Sequence, residues 1–167
     1  MYLCTPIIKT DKKDMKSKHA DWFETSVKYD KMGEGGTPVT SKESYTVEAF
    51  TFTEAEETIA EELQVYISGE FDVVDLKKAA YKEVFFSENP NDDRWYKVKA
   101  QFIVIDEKTE KEKYSTVTYL VQSNSLQNAV KGICEVLDKG MQDWKLASVT
   151  ETKLLDVFEK KPAETNA

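Results

Sequence analysis

The chain has 167 residues, enough for one domain with an ordinary core, and its 40% hydrophobic and 11% aromatic content excludes global disorder. No apolar run approaches the length that spans a bilayer, so no membrane partner is expected. The net charge of −8 is unevenly placed, with +3 over residues 1–20, −11 over 21–94 and zero over 95–158, a pattern that speaks to solubility and association rather than to fold.

Cys4 and Cys134 read as unpaired thiols, which points to a reducing, cytoplasmic setting. The opening apolar residues run into lysines rather than a small-residue cleavage site, a poor secretory signal. With His19 as its one histidine, the chain can build a histidine-centred triad or a tetrahedral zinc site only with help from a partner chain.

Residues 1–20 share no pattern with the rest of the chain, and the charged stretch from Lys9 to Lys18 reads as a flexible basic arm. Phe23, Thr25, Val27 and Tyr29 then alternate on one face of a strand. Gly33, Gly35, Gly36 and Pro38 make a loop, and residues 43–52 the second strand. Thr53-Glu54-Ala55-Glu56 has the spacing of a capping box. Ala55, Ile59, Leu63 and Tyr66 form the apolar stripe of the helix it opens, and Ser68-Gly69 stops that helix. Residues 71–86 read as one long extended segment, with a bulge near Lys77-Lys78-Ala79.

A turn-rich linker, 87–93, leads to a strand over 95–105. Tyr96, Val98, Ala100, Phe102 and Val104 share one face of it, Lys97, Lys99 and Gln101 the other. Residues 106–113 are a charged turn and 114–122 the next strand. A second helix beginning near Asn124-Ser125 carries Leu126, Val130, Ile133, Leu137 and Met141 at helical spacing. Residues 144–158 close the pattern ahead of a flexible polar tail, 159–167.

The order of elements occurs twice. Trp22 falls on Trp95 at a shift of 73, and Glu83-Val84-Phe85 falls on Asp156-Val157-Phe158 at the same shift. The expectation is a single α+β domain over 21–158, made of two tandem β-β-α-β repeats (21–87 and 94–158). They should form a mainly antiparallel sheet with two helices packed on one face, pseudo-two-fold and split βαβ-like.

Four places offer chemistry. The glutamates of the first helix, Glu54, Glu57, Glu61 and Glu62, raise a negative potential suited to a basic protein partner. Arg94, Lys97, Lys99 and Lys113 could together line a strip for single-stranded nucleic acid, with bases stacking on Trp95 or Tyr114. The oxygen-rich linker residues Glu88, Asn89, Asn91, Asp92 and Asp93 lack EF-hand spacing, and turn chemistry accounts for them, so no metal is expected. Asp106, Glu110, Lys111, Glu112 and Lys113 echo a metal-dependent nuclease pattern but fall in a solvated turn. There is no phosphate loop, nucleophile elbow or paired-cysteine site, and no cofactor is expected.

Trp22-Phe23-Glu24, Phe52-Thr53-Glu54-Ala55-Glu56 and Tyr66-Ile67-Ser68-Gly69-Glu70-Phe71 resemble a family of unknown function from Bacteroidales bacteria, their phages and integrated elements. So do Asp93-Arg94-Trp95-Tyr96-Lys97-Val98-Lys99, Ala147-Ser148-Val149 and Asp156-Val157-Phe158, and the resemblance runs over about 21–158. It implies a phage or mobile-element setting and brings no catalytic residues. The expected function is a non-catalytic binding or adaptor protein that uses the acidic face of the first repeat on a protein partner, with edge strands that offer a route to a homodimer. The rival is a single-strand nucleic-acid-binding accessory protein, and behind it an enzyme with no recognisable motif.

Overall fold

The computed structural model describes residues 15–161, so most of the expected arm and the end of the tail lie outside the described residues. Its elements are β1 (Lys16–His19), β2 (Trp22–Met32), β3 (Pro38–Glu48), α1 (Phe52–Leu63), β4 (Phe71–Lys78), β5 (Glu83–Phe86), β6 (Arg94–Ile105), β7 (Glu112–Ser123), α2 (Leu126–Asp138), β8 (Trp144–Glu151) and β9 (Leu154–Phe158). Part of the expected arm is therefore a strand: Lys16–His19 pairs antiparallel with β5.

The single sheet expected from the pattern is two sheets. One has the order β4-β2-β3-β9, the other β1-β5-β7-β6-β8. Within each, a long antiparallel hairpin is flanked by the strand that follows the helix: β3-β2-β4 in the first and β7-β6-β8 in the second. The segment expected to run unbroken over 71–86 is β4 and β5, which lie in different sheets, and 144–158 divides in the same way into β8 and β9. Strand β5 crosses to pair parallel with β7, and β9 crosses back to pair parallel with β3.

Alternation hid this because it reports that a residue faces a core, not which core. Along β2, Phe23, Thr25 and Val27 are buried on one face, but Trp22 and Ser26 on the opposite face are buried as well. A strand buried on both faces at one end lies where two layers meet. Trp22, Tyr81, Val84, Trp95, Leu120 and Val157 form that central cluster between the sheets.

The helices do not share one face of one sheet; each covers the outer face of its own. Helix α1 packs Ile59 and Leu63 with Val27, Tyr45, Val47 and Phe158. Helix α2 packs Ile133 and Leu137 with Phe85, Val98, Ala100, Tyr119 and Val121. An aromatic pair recurs in these cores, Tyr45 on Phe158 at 5.6 Å and Tyr119 on Phe85 at 5.7 Å between ring centroids. Register shifts also fall at matching places, Ser26/Val27 in β2 and Lys99/Ala100 in β6.

Both expected stripes need adjusting at their ends. Helix α1 stops at Leu63, so the chain delivers Ile67 to the core (7% exposed) and leaves Tyr66 outside (74%). In α2 the buried residues are Ala129, Ile133 and Leu137, and Leu126 and Met141 are exposed. The turn after α1 uses Gly69 at φ 105, a left-handed conformation that glycine adopts without strain.

The strand exchange predicts that neither half folds by itself. Fragments 15–87 and 88–161 should each show little protection in hydrogen exchange, because each sheet lacks its parallel strand. Mixed together, they should recover the far-ultraviolet circular dichroism of the intact chain. Two fragments that each fold in isolation would contradict the exchange.

Candidate functional site

On α1 the burial of Ala55, Ile59 and Leu63 turns the glutamates outward. The helix opens two residues before the expected box. Thr51 Oγ1 accepts the Glu54 N–H at 3.1 Å, and Glu54 Oε2 accepts the Phe50 N–H at 3.0 Å. This is a variant of the reciprocal cap in which the glutamate reaches one residue past the N-cap, and it satisfies two exposed donors. Two lysines of the chain's own C-terminal segment lie on this face. Lys160 Nζ is 2.6 Å from Glu54 Oε1 and 4.1 Å from the centre of the exposed Phe50 ring, and Lys161 Nζ is 3.0 Å from Glu62 Oε1. The Lys160 ammonium, followed by the Phe50 N–H, holds Glu54 below the usual carboxylate range. Glu57 and Glu61, one turn apart, are exposed and make no ion pair among the described residues.

Trp95, Lys97 and Lys99 share one face of β6, but the residues expected to form a nucleic-acid strip do not make an exposed basic platform. Trp95 is 2% exposed in the cluster between the sheets, so its ring is not presented to solvent for stacking. Lys97 Nζ is 3.0 Å from Glu24 Oε1 and lies 5.6 Å from the Tyr81 ring centre. Arg94 faces Glu151 at 3.8 Å, and Lys113 pairs with Asp106 at 2.5 Å. Of the five, Lys99 alone is exposed with no ion pair among the described residues. Sequence reasoning missed Lys145, which sits 4.5 Å from the centre of the Tyr114 ring. Only strand order joins those two positions.

Between the sheets lies a polar cleft of about 170 Å³, lined by Glu24, Ser26, Ser44, Lys77, Lys97 and Lys153 among others. Glu24 is shared by Lys97 and by Lys77, at 3.0 and 3.5 Å. Beneath it the fully buried Tyr81 hydroxyl bonds the Thr46 hydroxyl at 2.5 Å. Nothing local marks Glu24 as special, since its partner is 73 positions away.

A second cavity, of about 330 Å³, opens beside β9 and is lined by Tyr29, Glu43, Tyr45, Tyr66, Leu155 and Phe158 among others. The Tyr29 and Tyr45 hydroxyls both donate to the Glu43 carboxylate, at 2.8 and 2.6 Å. That bond raises the Tyr29 phenol above its ordinary range, while burial is the larger cause for Tyr45.

The linker oxygens serve the turn. Ser87 bonds Asp92, Asn89 Oδ1 accepts the Asn91 N–H at 3.0 Å, and Gln122 ties the linker to β7. Asp106 accepts the Lys108 N–H at 2.9 Å within its own turn. No group of three or more His, Cys, Asp or Glu among the described residues is placed to hold a metal ion, and none of their helices is long and apolar enough to cross a membrane.

Two sheets, two helices and a preponderance of strands define a mixed α+β protein. The chain belongs to the family described as Domain of unknown function (DUF4494), whose model covers residues 21–160. No curated protein and no solved structure matches it.

The paired state of Lys97 has a measurable consequence. Lys97→Ala should destabilise the protein by about 1–3 kcal/mol in urea unfolding, since it weakens compensation of a largely buried carboxylate. In a Glu24→Gln background the same substitution should cost clearly less, a coupling that a solvated lysine would not show.

Stability should also fall on the alkaline side. Burial raises the phenols of Tyr45 and Tyr81 above their ordinary value of 10.0. The unfolded chain therefore releases these protons first, so stability is full below about pH 10 and declines above it. The Tyr45→Phe/Tyr81→Phe variant should be less stable at pH 8, with a shallower loss between pH 9 and 11.

Proposed function

We propose that this protein is a non-catalytic binding module, an adaptor that engages a basic segment of a partner protein through the acidic face of α1. The observation that carries the proposal is that this face already holds lysines. Glu54 and Glu62 each bind a lysine of the C-terminal segment, while Glu57 and Glu61 stand exposed beside them. A surface that accommodates ammonium groups on extended chain in cis has the chemistry to accept them in trans. The −11 carried by residues 21–94 extends the attraction beyond the helix.

The chain is further interpreted as two pseudo-equivalent units that have exchanged their last strands. Matching bulges, aromatic pairs and hairpin orders support this. Duplicated cores with unlike surfaces leave the first unit to the partner and the second to other contacts. The phage or mobile-element setting and the cytoplasmic location implied by the sequence suit such an adaptor. The nucleic-acid reading keeps a narrower base, Lys99 together with Lys145 over Tyr114 on the open face of the second sheet.

Affinity capture from a bacterial host lysate tests the adaptor role. Glu57→Lys/Glu61→Lys should reduce recovery of the partner by about tenfold or more, and Lys160→Ala/Lys161→Ala should raise it by freeing Glu54 and Glu62. A partner recovered equally well by all three proteins would refute the acidic-face interaction.

A further inference from the structure

Strands β5 and β9 hold matching places, one parallel to β7 and the other parallel to β3. Their outer sides differ. The outer side of β5 is covered by β1, a strand of sequence Lys-Ser-Lys-His that pairs Lys16 with Phe86 and Lys18 with Val84. No strand among the described residues lies on the outer side of β9. Where Val84 meets β1, the matching Val157 N–H donates instead to the neighbouring Asp156 Oδ1, at 2.8 Å. A carboxylate of the same strand thus stands where a neighbouring backbone carbonyl would be.

The surroundings of this open edge specify what fits. Leu155, the extra residue of a bulge, is 54% exposed beside Tyr66, and both line the 330 Å³ cavity. Glu43 lines it as well, and Asp156 lies exposed on β9 and lines it too. The edge is therefore apolar and acidic together. Strand β1 shows how the fold treats a lysine beside such an edge: Lys18 Nζ is 2.7 Å from Glu48 Oε2 and 3.4 Å from Glu159 Oε2.

We propose that the outer edge of β9 accepts an extended, lysine-bearing segment of a partner protein, which adds a fifth strand to the four-stranded sheet as β1 does for the other. Backbone pairing supplies the affinity, and alternate side chains meet the cavity and its carboxylates. The incoming carbonyl displaces Asp156 from the Val157 N–H, and the released carboxylate faces the lysines of the new strand. The inference rests on the protein-binding role proposed above and names a different contact for it.

The test uses the full chain and fluorescein-labelled decapeptides read by fluorescence anisotropy. The probe alternates lysine and valine, a control alternates glutamate and valine, and two further probes carry backbone N-methyl groups on every lysine or on every valine. A strand at the edge directs only alternate N–H groups toward its neighbour. One methylated probe should therefore bind about tenfold or more weaker than the parent while the other binds within about twofold, and the glutamate control should be weak. Leu155→Pro, checked for folding by circular dichroism, should lose the same affinity.

Equal binding of both methylated probes would show charge attraction without strand pairing and overturn the proposal. If Glu57→Lys/Glu61→Lys also abolished that equal binding, the acidic face of α1 would stand while the edge fell. If the methylation pattern held and those two substitutions had no effect, the edge would stand while the helix face fell. A chain that dimerises without peptide and becomes monomeric as Leu155→Pro would assign the edge to a second copy and overturn the proposed partner.

Discussion

Strands β5 and β9 leave the sheets of the strands that precede them, and each completes the other sheet through a parallel pairing. The core between the sheets depends on this exchange, because Val84 and Val157 on those two strands enter it from opposite sides, beside Trp22 and Trp95. The helix cores depend on it as well. Phe158 of β9 stacks on Tyr45 under α1, and Phe85 of β5 packs on Tyr119 under α2. Three hydrophobic clusters are thereby tied to two short strands of five residues or fewer. Parallel contacts between segments so far apart in the chain carry a high loop-closure cost, which favours late formation during folding.

The same exchange positions the acidic surface. As β9 ends beside β3, the chain emerges at Glu159 and passes Lys160 and Lys161 over α1 to Glu54 and Glu62. Strand β1 meets it from the other sheet through Lys18, which Glu48 and Glu159 share. The basic residues flanking the domain are thus used as partners for the acidic unit, and the charge asymmetry of the sequence is partly balanced within the fold. What remains without an ion pair of its own among the described residues is local: Glu57 and Glu61, exposed on the helix.

Elements were legible in the sequence where one face of a residue pattern meets one core. The stripe of Ala55, Ile59 and Leu63 and the alternation of Tyr96, Val98 and Ala100 gave the helices and hairpins directly. The division into two sheets was not legible, because Tyr81 and Val84 keep the segment after β4 apolar and extended while the chain changes layer. Trp95 shows the same ambiguity. It lies on the lysine-bearing face, as its phase requires, but the start of that face is the seam between sheets, and an aromatic there is core. The acidic helix was visible from composition. Its occupation by Lys160 and Lys161 was not, since more than ninety positions separate the partners, and no periodicity spans such a distance.

The ion pair of Glu24 with Lys97 joins residues whose separation, 73, is also that of Trp22 from Trp95. On the two-unit interpretation these are the same position, once acidic and once basic, facing each other across an approximate axis. A pair of identical units would bring like charge against like charge at that point. On that interpretation the bond is available only to unequal halves, and changing the sign of either residue would set like charge against like across the cleft.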